Sequence, residues 1–86
     1  MTWVKICGIT NLEDAQTAVE AGADALGFVF YEKSPRYISV EIAREVVANL
    51  PENVEKVGVF VDHNCASMRE TGLEIGLTAV QLHGEK

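Results

Sequence analysis

Four short apolar runs, separated by longer amphipathic stretches, limit the fold of this chain more than any other feature. They are Val4 to Cys7, Ala25 to Phe30, Val57 to Val61 and Ala79 to Leu82. Each is too short for a helix, and together they are rich in β-branched and aromatic residues. That pattern suits strands of a buried parallel sheet. The stretches between them read as helices. Asn11 is placed to cap the first, with Glu13 and Asp14 in the first turn, where the helix dipole favours acids. Leu12, Ala15, Ala18 and Val19 make its apolar stripe, and Gly22 falls just past its end. Ser39 caps a second helix carrying Ile42, Ala43, Val46, Val47 and Leu50, and Pro51 stops it. A third, capped by Asn64 or a neighbour, runs through Met68 to about Ile75 and closes at Gly76. Thr71 and Gly72 are poor formers in its interior.

The order β-α-β-α-β-α-β belongs to the α/β class, a parallel sheet with right-handed crossovers. An internal repeat adds to this. Ala21-Gly22-Ala23-Asp24-Ala25-Leu26 resembles Ile75-Gly76-Leu77-Thr78-Ala79-Val80, and Gly27-Phe28-Val29-Phe30 resembles Gly58-Val59-Phe60-Val61. Repeated βα units favour the (β/α)8 TIM-barrel family over a doubly wound sheet. Such a barrel needs eight strands and roughly 250 residues, whereas this chain has 86. No helix pattern follows Gln81-Leu82-His83-Gly84-Glu85-Lys86. The expectation is that residues 1–86 are the N-terminal portion of one barrel domain, truncated after the fourth strand. Both sheet edges would then be open, to self-association or to a complementary half.

Composition narrows the function. Seven Lys plus Arg stand against thirteen Asp plus Glu, a formal charge of −6. That charge repels a phosphate backbone, so nucleic acid is not an expected partner, while a small anionic substrate remains open. No apolar run approaches the roughly 20 residues of a membrane span. No secretory pattern is visible, and a cytoplasmic location without membrane partners is expected. Cys7 and Cys65 form no CxxC pair and no zinc-spaced cluster. A reducing compartment and no metal fit that usage. Dinucleotide, P-loop, HExxH and EF-hand motifs are absent from the sequence.

In a (β/α) barrel the chemistry sits on loops that follow the strands. Lys5 and Cys7 share one face of their strand, and Val4 and Ile6 the other, against helices. A nearby ammonium favours a thiolate, so Cys7 can serve as base or nucleophile. The plainer alternative is a small core cysteine. Gly8 and the Ile9-Thr10 turn would let backbone N–H groups approach a ligand. The long loop Tyr31-Glu32-Lys33-Ser34-Pro35-Arg36-Tyr37 offers the Arg36 guanidinium for a carboxylate or phosphate, with Lys33 assisting. A solvated turn is its alternative. Asp62-His63-Asn64 reads first as a helix-capping loop. Gln81 and His83 share a face at the fourth strand end, where two polar groups serve a site better than packing. Cys65 reads as structural or incidental, and Phe28, Phe30 and Phe60 as core.

Val4-Lys5-Ile6-Cys7-Gly8-Ile9-Thr10-Asn11, Ala21 to Phe30, Ser34-Pro35-Arg36-Tyr37, Val57 to Val61 and Gln81-Leu82-His83-Gly84 follow one another in an order that resembles the phosphoribosylanthranilate isomerases of tryptophan biosynthesis. The resemblance covers essentially the whole chain. It implies a (β/α)8 enzyme with no cofactor and no metal. The reaction it implies is an Amadori rearrangement of N-(5-phosphoribosyl)anthranilate, a small phosphosugar-anthranilate, to 1-(2-carboxyphenylamino)-1-deoxyribulose 5-phosphate. Cys7 matches the general base and Arg36 the residue that binds the anthranilate carboxylate. Gln81 and His83 match the fourth strand end and, with Lys5 beside the base, are expected to bind substrate. The family's general acid, an aspartate, and its phosphate loops belong to the second half of the barrel. Asp62 does not inherit the acid role, and the 86-residue piece alone is expected to be inactive.

Overall fold

The structure is a computed structural model that describes residues 2–61 and 65–82. Its elements are β1 (Lys5–Cys7), α1 (Leu12–Glu20), β2 (Ala25–Val29), α2 (Val40–Ala48), β3 (Glu55–Phe60), α3 (Cys65–Ile75) and β4 (Ala79–Leu82). The strands are parallel and lie in the order β1-β2-β3-β4. Each helix begins or ends as its residues dictate. Asn11 Oδ1 accepts from the Asp14 N–H at 2.7 Å, and Ser39 Oγ from the Ile42 N–H at 3.3 Å. Gly22 and Gly76, with φ of 100° and 95°, turn the chain out of α1 and α3, a conformation glycine adopts without a Cβ penalty.

All three helices cover the same face of the sheet. Ala15 of α1, Ala43, Val46 and Val47 of α2, and Met68 and Ile75 of α3 form one core with Leu26, Phe28, Phe30 and Phe60. Phe30 and Phe60 stack with ring centroids 5.1 Å apart. A doubly wound sheet reverses its strand order and carries helices on both faces, and this sheet does neither.

The opposite face is concave. Lys5 Nζ donates to Gln81 Oε1 at 2.9 Å, linking β1 to β4 across the two strands between them. Lys5 pairs with Ala25, while Gln81 is level with Val59 and Val29. On a flat sheet those positions would lie about 14 Å apart across the strands and about 13 Å along them. That diagonal exceeds what the two side chains span together. The sheet therefore curls, with strands tilted as in a barrel wall.

Register is fixed by a device that appears twice. The Asp24 N–H donates to Val4 O at 2.8 Å, and Asp24 Oδ2 accepts from the Val4 N–H at 2.8 Å. The Thr78 N–H donates to Lys56 O at 2.8 Å, and Thr78 Oγ1 accepts from the Lys56 N–H at 2.9 Å. Asp24 and Thr78 each sit one residue before a strand, two after a left-handed glycine. That is the physical content of the first repeat. The second repeat is superficial. Gly27 pairs with Val57, and Phe28 with Gly58, so the two glycines face opposite sides of the sheet.

Other expectations are adjusted. Ile42 is 47% exposed and lies off the α2 stripe. β3 starts at Glu55 rather than Val57 because Lys56 is buried, its Nζ donating to Pro51 O at 2.8 Å. β2 ends at Val29, and Asn64 lies outside the described residues. No helix among the described residues is long and apolar enough to cross a membrane.

Two glycines give a test of opposite sign. A Cβ at Gly58 would come within 2.9 Å of the Phe60 ring and also press on Leu77, whereas one at Gly72 would meet nothing nearer than 3.5 Å. Gly58→Ala should cost about 1–3 kcal/mol through overpacking. Gly72→Ala, inside α3, should gain about 0.5–1 kcal/mol through helix propensity. Urea unfolding midpoints of the two variants against the parent sequence check both signs.

Candidate active site

The curl brings three sequence-predicted polar side chains to one place. A recess of about 310 Å³ on the concave face is lined by Lys5, Cys7 and Gln81, over Val29 and Val59, with Tyr31 and Ser34 from the loop after β2. It lies toward the carboxyl ends of the strands, where βα loops build the sites of such folds. Cys7 is a free, exposed thiol. The floor beside it is bare for a reason: a Cβ at Gly27, its partner on β2, would stand 3.0 Å from the Cys7 Sγ. Gly27 was not singled out by sequence reasoning. A glycine inside a strand pattern is itself a signal of close approach, and it was legible as one.

Arg36 approaches the end of β1 from another side, its stem lying against Gly8. Its loop is tied down locally: the Ser34 N–H donates to Tyr31 O at 2.9 Å, the Tyr37 N–H to Ser34 O at 3.1 Å, and the Arg36 N–H to Ser34 Oγ at 3.1 Å. The Ile38 N–H then donates to Val29 O at 3.0 Å, and Tyr37 bridges Val29, so the loop returns along β2. This folds Arg36 over the end of β1. There it lines a second groove, of about 490 Å³, with Cys7, Gly8, Ile9 and Asp14 along the outer side of β1. Cys7 alone among the site residues lines both hollows. Lys33 does not join them. It lines a cleft of about 320 Å³ with Phe30, Tyr37 and Phe60.

Two further expectations change. The N–H groups of Gly8 and Ile9 both donate to Gly27 O, at 3.0 and 3.1 Å, so they serve the strand pairing rather than a ligand. Val4 and Ile6, although on the helix side, are 38% and 40% exposed along the outer edge of β1. His83, Asp62 and His63 lie outside the described residues. No described residue hydrogen-bonds or ion-pairs the Arg36 guanidinium.

A curled, singly wound run of βα units with a thiol, an ammonium and a carboxamide gathered at its strand ends is a segment of a (β/α)-barrel enzyme. The family model described as N-(5'phosphoribosyl)anthranilate (PRA) isomerase matches residues 4–86, and the chain belongs to that family. The N-(5'-phosphoribosyl)anthranilate isomerase of Thermotoga neapolitana is 59% identical over the whole chain. The crystal structure of the phosphoribosyl anthranilate isomerase from Thermotoga maritima superimposes with a TM-score of 0.95 at 57% identity, over all of this chain and 42% of that one. A phosphoribosyl anthranilate isomerase solved with reduced 1-(o-carboxyphenylamino)-1-deoxyribulose 5-phosphate gives the same TM-score and identity, with 44% of that chain covered. The chain spans 42% of the length of the curated relatives it matches.

The cross-sheet contact can be measured. A double-mutant cycle of Lys5→Ala and Gln81→Ala, read by urea unfolding, should give a coupling of about 0.5–1.5 kcal/mol, the range of one net hydrogen bond. Zero coupling would mean that β1 and β4 are not joined across the concave face.

Proposed function

We propose that residues 1–86 are the N-terminal portion of a phosphoribosylanthranilate isomerase barrel of tryptophan biosynthesis, and that they supply its base and its grip on the anthranilate ring. One observation carries this reading. The exposed Cys7 thiol stands between the Lys5–Gln81 pair on one side and Arg36 on the other. The ligand held by the solved relative contains both a carboxyphenyl group and a phosphosugar, which suits a thiol flanked by a guanidinium that has no partner among the described residues.

The chemistry follows from those groups. Protonation of the furanose oxygen opens the ring to an iminium at C1. The iminium acidifies the C2–H bond, and the Cys7 thiolate takes that proton while the bonding electrons move to form the enolamine. The enol then gives up its proton and C1 gains one, leaving the ketone. No redox partner or cofactor is required, because hydrogen only moves from C2 to C1. Arg36 binds the anthranilate carboxylate with parallel hydrogen bonds. Lys5, oriented by Gln81, keeps positive charge near the thiolate. Gln81 on β4 is a substrate-binding residue in this reading, and His83, two residues on in the sequence, joins it. The acid and the phosphate contacts come from the remainder of the barrel. A cytoplasmic setting suits an unpaired catalytic thiol.

A second reading concerns the 86-residue piece by itself, as a non-catalytic assembly unit. Val80 and Leu82 on β4 are 44% and 54% exposed, and Ile6 on β1 and Val4 just before it are exposed too, so both edges offer apolar strand to a complementary half or a second copy. Size-exclusion of the piece with and without the second half separates this from a monomer.

In a complete barrel carrying this segment, Cys7→Ser should lower kcat by about 10²- to 10⁴-fold, the usual worth of a general base. KM should move no more than a few-fold. Weakened binding with preserved turnover would contradict the base assignment. The isolated 86-residue piece should not consume phosphoribosylanthranilate in a fluorescence assay, and clear turnover would overturn its incompleteness.

A further inference from the structure

We infer that Gly8 is a positioning residue that acts through Arg36: its missing side chain is the seat that holds the guanidinium beside Cys7. This rests on the reading of Arg36 as the carboxylate ligand and adds to it what sets the arginine's place. A Cβ built on Gly8 would collide with Arg36 Cδ, and it would stand 3.2 Å from Nε and 3.4 Å from Cγ. The stem of Arg36 therefore occupies the volume that any other residue's Cβ would fill. Gly8 cannot yield by moving, because its own N–H and that of Ile9 are both held by Gly27 O. The Arg36 backbone is held by the Ser34 hydroxyl and by the bridge from Tyr37 to Val29, so a Cβ at Gly8 would push the flexible stem, and the guanidinium with it, out of place. Both backbones are tied to β2, Gly8 through Gly27 and the loop through Val29, and the stem lies in the gap between them. Gly8 also has a φ of +90°, which by itself favours glycine. Any test must separate that strain from the collision.

Gly22 provides the separation. It has a φ of +100°, and a Cβ there would meet nothing within 4 Å. In a complete barrel carrying residues 1–86, Gly8→Ala should raise KM for phosphoribosylanthranilate by about tenfold or more, the scale of a lost hydrogen bond to a charged group. Its kcat should stay within about threefold, since the base is untouched. Gly22→Ala, with similar backbone strain, should leave both constants near those of the parent. Arg36→Ala should raise KM at least as far as Gly8→Ala, and Gly8→Ala added to it should raise KM no further, because nothing is left to displace. Additive KM effects of the two substitutions would overturn the proposal. If Gly8→Ala fails to fold while Gly8→Ala with Arg36→Ala folds, the collision is established. If neither folds, φ alone dictates the glycine and the proposal falls. An Arg36→Ala variant with unchanged KM would instead refute the carboxylate role of Arg36, whatever Gly8 does.

Discussion

The Asp24 carboxylate holds the Val4 N–H, the Thr78 hydroxyl holds the Lys56 N–H, and everything the sheet presents follows from those contacts. Side chains alternate along a strand, so a slip of one residue would exchange the two faces. Val4 and Ile6 would then point into the concavity, and Lys5 and Cys7 into the helix layer. Parallel strands receive no help from a hairpin turn in choosing register, because the crossover helix between them is long and its docking tolerates small shifts. Each device binds both the N–H and the C=O of the residue before the pairing starts. It thereby sets the first rung, and the ladder fixes the rest. The left-handed glycines two residues earlier make this possible by aiming the chain back at the sheet.

With register fixed, packing divides the faces. The helix face takes Leu26, Phe28 and Phe60, each fully buried. The helices cover only that face, while the concave one carries the small Ala25, Gly27 and Ala79 beside Val29, Val57 and Val59 and is free to curl inward. The curl then does chemical service. It brings Lys5 and Gln81, three strands apart in order, into hydrogen-bond contact and leaves the Cys7 thiol at the rim. The polar residues occupy the concave face without an unsatisfied buried group among the described residues.

Much of this was legible because the signals were local. Caps at Asn11 and Ser39, glycines at 22 and 76, and four apolar runs each report on their own neighbourhood, and each predicted element forms within two residues of its expected bounds. What was not legible depended on distance. Lys56 hid the start of β3, since its burial rests on the Pro51 carbonyl, which no periodicity announces. Ile42 looked like core because its type fits, yet no neighbouring element covers it. The Gly27 and Gly58 repeat failed because sequence spacing carries no face label until the ladder is known. At the site, Lys5, Cys7 and Gln81 were readable from strand alternation. The role of Gly8 was not, because what fills its empty volume comes from a loop 28 residues later.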